Sequence, residues 1–142
     1  MVPYKDGFIV SFTALNGSLS DPSMSFYESW VMEVQKQNNQ WIATQPKKIF
    51  TAQSYSKIVT KLAPFNTAHE NNTFLAGLIY EDCITGQCNR FYALAVFGGE
   101  EFVQLTPLET VLEQTANWGE RTIFSTGPNG DVAWVRLCLL IL

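Results

Sequence analysis

Residues 73–98 read TFLAGLIYEDCITGQCNRFYALAVFG, two apolar runs on either side of Thr85-Gly86. Gly suits the tight turn of a hairpin, and both runs are rich in the branched and aromatic residues that favour strands. The segment therefore predicts a β-hairpin with strands over residues 73–82 and 90–98. Because a tight turn joins only antiparallel strands, the hairpin also favours an antiparallel sheet.

A second hairpin lies nearer the N-terminus. A predicted strand over residues 26–37 is followed by Asn38-Asn39, and residues 41–43 return as its partner. Asn is favoured at this point because it tolerates the positive φ that tight turns need. The hairpin therefore adds a second pair of antiparallel strands.

Two predicted strands carry apolar residues on both faces. These are residues 8–12, which read FIVSF, and residues 132–142, which follow an Asn-Gly turn. Such strands are typical of positions that are covered from each side, so the last strand is predicted to be central. In the predicted strand over residues 26–37, Trp30, Met32 and Val34 alternate with other residues and therefore fall on one face.

Residues 54–63 predict a first helix. The apolar side chains recur at the spacing of one helical face: Tyr55, Ile58, Val59 and Leu62. Pro64 follows and is typical of a helix end, because proline cannot continue the backbone hydrogen bonding.

Residues 106–118 predict a second helix. Thr106 and Glu109 have the spacing of a capping box, and Pro107 occupies the position where its missing amide costs nothing. Gly119 suits the left-handed residue that ends a helix. The inner face would consist of Leu108, Val111, Leu112 and Thr115.

These elements predict a single α+β domain over residues 1–142. It has a mostly antiparallel sheet of about eight strands and two short helices. Residues 26–63 and 74–118 each follow the order hairpin, strand, helix, which indicates an internal duplication. The alternative is a β-sandwich or jelly-roll-like domain with the same two segments as helical excursions.

The composition favours contact with other proteins. Hydrophobic residues make up 46% of the chain and charged residues only 15%, against about 25% in a typical soluble domain. A surface with few charges repels its neighbours weakly and so tolerates close protein–protein contact. The formal net charge of −4 makes nucleic acid an unfavoured partner, because phosphate binding relies on Lys and Arg.

Neither a signal peptide nor a membrane span is apparent. The first residues lack the apolar run of a signal peptide. The most apolar run, residues 132–142, contains Arg136 and is far shorter than the ~20 residues that a spanning helix needs. We therefore expect a soluble protein, and the sequence specifies no compartment.

No motif predicts a catalytic, metal or cofactor site. His69 is the single histidine and has no nucleophile at a recognisable spacing, so we interpret it as a solvated loop residue. Of the three cysteines, Cys138 lies in an apolar run and is expected to be a small buried hydrophobe. Cys83 and Cys88 lie on either side of the tip of the hairpin predicted over residues 73–98. They are either two thiols or a small disulfide ring, depending on the loop geometry.

Two sets of residues are candidate binding sites. The first predicted helix presents Lys57 and Lys61 to solvent, and the second presents Glu109 and Glu113. With the two lysines that precede the first helix, they predict a charged partner surface: Lys47, Lys48, Lys57, Lys61, Glu109 and Glu113. Aromatic residues make up 13% of the chain, and four of them are candidates for a small-ligand groove between the two units: Trp30, Trp41, Tyr80 and Tyr92.

These features favour a non-enzymatic domain that binds or assembles through protein–protein contact. A viral or phage structural or accessory module is one form of this hypothesis, in which the apolar terminal strand completes a sheet within an oligomer. The alternative is a small-molecule-binding domain that uses the aromatic groove, an expectation that rests on architecture alone. An enzyme is the third hypothesis.

Overall fold

The computed structural model describes residues 1–18, 20, 26–51, 58–65, 72–84, 87–99, 103–115, 121–127 and 131–137. For residues 81–84, 87–89, 111–115, 121–124 and 134–137 it describes the backbone alone. The strands of this part of the chain are β1 (Val2–Tyr4), β2 (Gly7–Asn16), β3 (Phe26–Gln37), β4 (Gln40–Ala43), β5 (Lys47–Thr51), β6 (Ile58–Pro64), β7 (Thr73–Ile84), β8 (Gln87–Gly98), β9 (Val103–Gln104), β10 (Glu109–Thr115), β11 (Arg121–Thr126) and β12 (Val132–Leu137).

The strands form two larger sheets and a separate hairpin. Sheet A has the order β1-β2-β3-β4, with β5 also paired to β3. Sheet B has the order β10-β8-β7-β6, with β9 also paired to β8, and β11 pairs with β12. The predicted antiparallel sheet is confirmed, because every pairing is antiparallel. The predicted α+β class is wrong, because no described residue lies in a helix.

The helix predicted over residues 54–63 is a strand where the structure describes it. This segment contains β6, which pairs with β7 along its whole length. The apolar pattern was ambiguous because Ile58 and Leu62, four residues apart, share a face in a strand as well as in a helix. The β-branched run Ile58-Val59-Thr60 favours the strand. The beginning of the predicted helix lies outside the described residues.

The helix predicted over residues 106–118 is also wrong. Its described part contains β10, which pairs with β8. The Thr106 hydroxyl does not cap a helix, because it accepts a hydrogen bond of 2.8 Å from the Val96 amide. The Leu105 amide donates to the Val96 carbonyl at 2.8 Å. These bonds hold the segment in an extended conformation beside β8, and the end of the predicted helix lies outside the described residues.

The two predicted repeat units are not built alike. In the first unit, β3, β4 and β5 belong to sheet A whereas β6 belongs to sheet B. In the second unit, β7, β8, β9 and β10 all belong to sheet B. The similarity of the two sequence patterns therefore does not correspond to a duplicated fold. The helical excursions of the β-sandwich alternative are likewise strands in the described residues.

The main core lies between sheets A and B. Phe74 and Phe97 lie directly opposite each other in sheet B and stack with ring centroids 5.4 Å apart. Tyr4 of β1 meets Phe74 edge-on, with a centroid distance of 6.0 Å. The buried cluster takes residues from both sheets: Val2, Tyr4, Ile9, Val31, Phe74, Ala76, Ala95 and Phe97.

Sheet B is also buried on its other face. A separate apolar cluster lies there, formed by Ala63, Leu75, Phe65, Leu94 and Val96. Tyr92 lies on the same side as this cluster, because the next residue of β8, Ala93, lies on the inner side and successive residues point to opposite faces. Tyr92 is buried as well. The β11–β12 hairpin lies against β6. Sheet B is therefore the better covered of the two sheets.

Polar side chains also connect the two sheets. Ser29 of β3 is completely buried and shares a hydrogen bond with Thr60 of β6. The Tyr4 hydroxyl donates to the carbonyl of Gly99 at 3.0 Å. Because a buried hydroxyl without a partner costs about 1–3 kcal/mol, these pairs favour one relative position of the sheets.

The terminal apolar strand is not central in the described part of the chain. β12 pairs with β11 in a two-stranded sheet, and Val132 at its start is exposed. A hydrogen bond from the Thr126 hydroxyl to the Pro64 carbonyl joins this hairpin to β6. The prediction that this strand lies within a larger sheet is wrong for residues 132–137.

Tyr4 is expected to make the fold less stable at alkaline pH. Burial, and then the negative charge of Glu33, raise the pKa of Tyr4 from 10.0 to about 12. The stability due to the neutral phenol is thus complete below pH 10.0 and is lost as the pH rises through about 12. Urea unfolding followed against pH should show this loss in the wild type and a smaller one in Tyr4→Phe.

At neutral pH, Tyr4→Phe should reduce the free energy of unfolding by about 0.5–1.5 kcal/mol, because the hydrogen bond to Gly99 is lost. If the variant loses stability with rising pH as steeply as the wild type, the proposed role of the Tyr4 phenol is wrong.

Gly7 is expected to be intolerant of any side chain. A Cβ atom there would lie 1.9 Å from the Val34 carbonyl oxygen of β3, so the backbone itself would have to move. Gly7→Ala should lower the free energy of unfolding by about 1–3 kcal/mol, as overpacked sites do. The matched control is Gly127→Ala, whose Cβ would meet Asp131 at an ordinary 3.5 Å. Equal urea midpoints for the two variants would contradict the prediction.

Candidate binding face

The outer face of sheet A is the side turned away from sheet B. Directly opposite residues of antiparallel strands share a face, and neighbours along a strand point to opposite faces. Ile9 and Val31 lie in the core, so Phe8, Val10 and Met32 lie on the outer face. The same register extends this set to the aromatic face, which we define as Phe8, Val10, Phe12, Trp30, Met32, Val34 and Trp41.

The aromatic face is apolar but accessible. None of its seven residues is buried, and Trp41 is 57% and Phe12 36% exposed. By contrast, Ile9 and Val31 on the inner face of the same strands are 0% exposed. Phe8 and Trp41 contact each other with ring centroids 5.2 Å apart. An antiparallel sheet with one solvated face normally turns polar residues outward, so this face is composed like one that is covered.

A β-bulge brings a lysine onto the aromatic face. Phe50 lies opposite Ser29 and Lys48 opposite Trp30, so Ile49 is an extra residue in β5. Regular pairing would turn Lys48 towards the core and Ile49 outward. The bulge lets Ile49 pack against the core and places the Lys48 ammonium 5.8 Å from the centre of the Trp30 ring.

Glu28 joins Lys48 and Trp30 in a polar cluster at this face. Lys48 Nζ donates to Glu28 Oε1 at 2.9 Å, and Trp30 Nε1 donates to Oε2 at 3.2 Å. The hydrogen bond from Lys48 is the main cause that holds the pKa of Glu28 below its usual range. Burial opposes this shift, while the charge of Lys48 and hydrogen bonds from Asn16 and Trp30 add to it. Glu28 is only 4% exposed and its ionised form is satisfied, so it fixes the indole of Trp30.

The structure does not bring the four predicted groove residues together. Trp30 and Trp41 lie on the aromatic face. Tyr80 lies between the sheets, stacked on Phe91 with centroids 4.7 Å apart. Tyr92 is buried on the far face of sheet B. The four residues therefore occupy three different sides of the two sheets.

Two members of the predicted charged surface lie at opposite edges of sheet B. Lys61 is opposite Gly77, Gly77 is opposite Leu94, and Leu94 is opposite Glu109. Lys61 and Glu109 thus lie in one row across the sheet, three strand spacings or about 14 Å apart. The row separates the two charges instead of pairing them.

The other charged candidates are distributed over both sheets. Lys47 and Lys48 belong to β5 of sheet A, where Lys48 binds Glu28 and Lys47 is exposed. Glu113 belongs to β10 of sheet B, opposite Phe91. Lys57 lies outside the described residues. The five candidates whose backbone is described are therefore divided between the two sheets.

The sequence contained part of the signal for the aromatic face. Trp30, Met32 and Val34 alternate and were predicted to share a side. Residues 8–12 were predicted to be covered on both faces, yet the structure leaves the outer side of this strand partly exposed. Glu28 had no local signal, because its partner Lys48 comes from another strand through a bulge.

The described part of the chain shows no cluster of metal-ligating side chains. Within it, no three His, Cys, Asp or Glu side chains gather closely enough to hold a metal ion. It also contains no helix with the length and apolarity needed to cross a membrane. His69 and Cys138 lie outside the described residues.

In comparisons with known proteins, the chain matches no family model, no curated protein and no solved structure. The aromatic face must therefore be interpreted from its own physical chemistry.

Lys48→Met should raise the pKa of Glu28, because it removes the hydrogen bond and the charge that lower it while burial remains. Carboxyl NMR titration measures this pKa directly. Lys36→Met is the matched control, since Lys36 lies on the same face opposite Trp41. A Glu28 titration that shifts equally in both variants, or in neither, would contradict the assignment.

Lys48 should also affect the stability of the fold at acid pH, through the pKa of Glu28. A lowered pKa of Glu28 stabilises the fold above the unfolded-state pKa, and this stability is lost as the pH falls through the folded-state value. Acid unfolding of Lys48→Met should therefore depend less steeply on pH than that of the wild type.

Proposed function

We propose that this chain is a non-catalytic assembly domain that acts by protein–protein contact through the aromatic face. The observation that carries the proposal is the aromatic face: seven apolar residues share the outer side of sheet A, and none of them is buried. Apolar surface gathered in one place, instead of scattered singly, is typical of a contact site.

The composition of the face supports a protein partner. The centres of protein interfaces are enriched in aromatic residues and Met and depleted of charge. The aromatic face has Phe8, Phe12, Trp30 and Trp41 together with Met32. Glu28 and Lys48, at one end of the face, are already bound to each other, so few polar groups would lose hydration in a contact.

The extent of the face favours a macromolecule over a small ligand. Trp41 lies opposite Lys36, which is six residues from Trp30 along β3. At ~3.4 Å per residue, the backbone positions of the two tryptophans are about 20 Å apart along β3. Small-molecule sites are concave and enclose most of their ligand, whereas this site is the open face of a sheet.

The charges of the face disfavour nucleic acid. Its lysines are Lys36 and Lys48, and Lys48 is bound to Glu28. The chain as a whole carries a net charge of −4. A phosphate backbone would need several cations at the contact.

A second copy of the chain is the partner that fits this face best. In a two-fold contact the same surface of both copies forms the interface, so a face with a net charge would meet an identical charge on the partner. Glu28 and Lys48 neutralise each other at 2.9 Å, and Lys36 lies towards one end of the face. Two such faces can pack in the manner of a sandwich, about 10 Å apart, as sheets commonly do.

Size-exclusion chromatography with light scattering tests the proposal. The average mass of the wild type should rise from 16.0 kDa towards that of a dimer as concentration increases. Trp41→Lys should weaken the association at least ~10-fold, because interface Trp residues commonly contribute more than 1.4 kcal/mol. Trp41 is 57% exposed, so the variant should fold, which circular dichroism checks.

Val59→Lys is the matched control. Val59 is 45% exposed but belongs to β6 of sheet B, so its replacement should leave the association unchanged. A wild type that stays at 16.0 kDa at every concentration would overturn the proposal. So would a control variant that weakens association as much as Trp41→Lys.

A further inference from the structure

The tip of the β7–β8 hairpin places two cysteines directly opposite each other. Cys83 is the strand partner of Cys88, and Ile84 is the partner of Gln87. Only two residues separate Ile84 from Gln87 in the sequence, so these two form the pair that closes a two-residue connection.

The position of this pair in the ladder determines whether it suits a disulfide. The residues that flank a two-residue turn are joined by backbone hydrogen bonds, and the pairs then alternate between hydrogen-bonded and non-hydrogen-bonded. Ile84 and Gln87 are the closing pair, so Cys83 and Cys88 are a non-hydrogen-bonded pair. The Cα atoms of such a pair lie ~4.5 Å apart, within the ~4.4–6.8 Å that a disulfide spans.

The hairpin tip extends beyond the rest of sheet B in the described residues. β6 begins opposite Tyr80, and β10 ends opposite Asn89. Among the described residues, the Cys83–Cys88 pair therefore lies where β7 and β8 pair only with each other. A two-stranded ribbon is marginally stable by itself, so a covalent cross-link has most effect at this point.

We propose that Cys83 and Cys88 form a reversible disulfide by exchange with a low-molecular-weight disulfide. The thiolate of one cysteine attacks the small disulfide, forms a mixed disulfide and releases one small thiolate. The thiolate of the second cysteine then attacks the sulfur of the first and releases the second small thiolate. The protein loses two protons and two electrons, and the oxidant becomes two thiols.

Peptide mass spectrometry tests this directly. The protein is incubated with oxidised glutathione, denatured in acid, alkylated and digested with trypsin. No Lys or Arg lies between Lys61 and Arg90, so both cysteines fall in the peptide of residues 62–90, whereas Cys138 falls in residues 137–142. We expect the first peptide to be two hydrogens lighter than its reduced form and to take up alkyl groups only after reduction.

Single-cysteine variants complete the test. Cys138→Ser should leave the cross-link unchanged. Cys88→Ser should stop at the mixed disulfide, so that the peptide of residues 62–90 carries one glutathione. If the wild-type peptide carries two alkyl groups, two glutathiones or a link to Cys138, the proposal is wrong.

Discussion

The structure depends on one constraint: the two long strands of sheet A carry apolar side chains on both faces, and sheet B covers only the inner face. On the inner face, Ile9 and Val31 are completely buried in one cluster with Phe74 and Phe97. The outer face also carries apolar side chains, and none of the seven residues of the aromatic face is buried. Water contact with this face is unfavourable at roughly 25 cal/mol for each Å² of apolar surface, and this would drive the association that we propose.

Two local features shape sheet A. Gly7 allows β2 to approach the backbone of β3 more closely than any other residue would. The bulge in β5 keeps Ile49 in the core and turns Lys48 outward to Glu28. The outer face thus holds one neutralised ion pair at one end of an apolar surface. This is the arrangement in which a face can meet a copy of itself without like-charge repulsion.

The hairpins could be predicted from sequence because their signals are local. Asn38-Asn39 and Thr85-Gly86 mark turns whose neighbouring strands do pair. The two helices were predicted wrongly because a four-residue apolar spacing, as in Ile58 and Leu62, suits both a helix and a strand. Partners distant in sequence then decide: β6 is held by β7, and β10 by β8. The Glu28 cluster was equally out of reach, since it depends on the register of β5.

The central claim is that the outer face of sheet A becomes covered when two chains meet. Methyl NMR of labelled methionine and valine, with a soluble paramagnetic probe, measures this at one residue. Met32 lies in the middle of the aromatic face, and Val59 of sheet B is an exposed reference. As protein concentration rises, the probe's effect on the Met32 methyl should fall while that on the Val59 methyls stays constant. An unchanged effect at Met32 over the whole range would contradict the account.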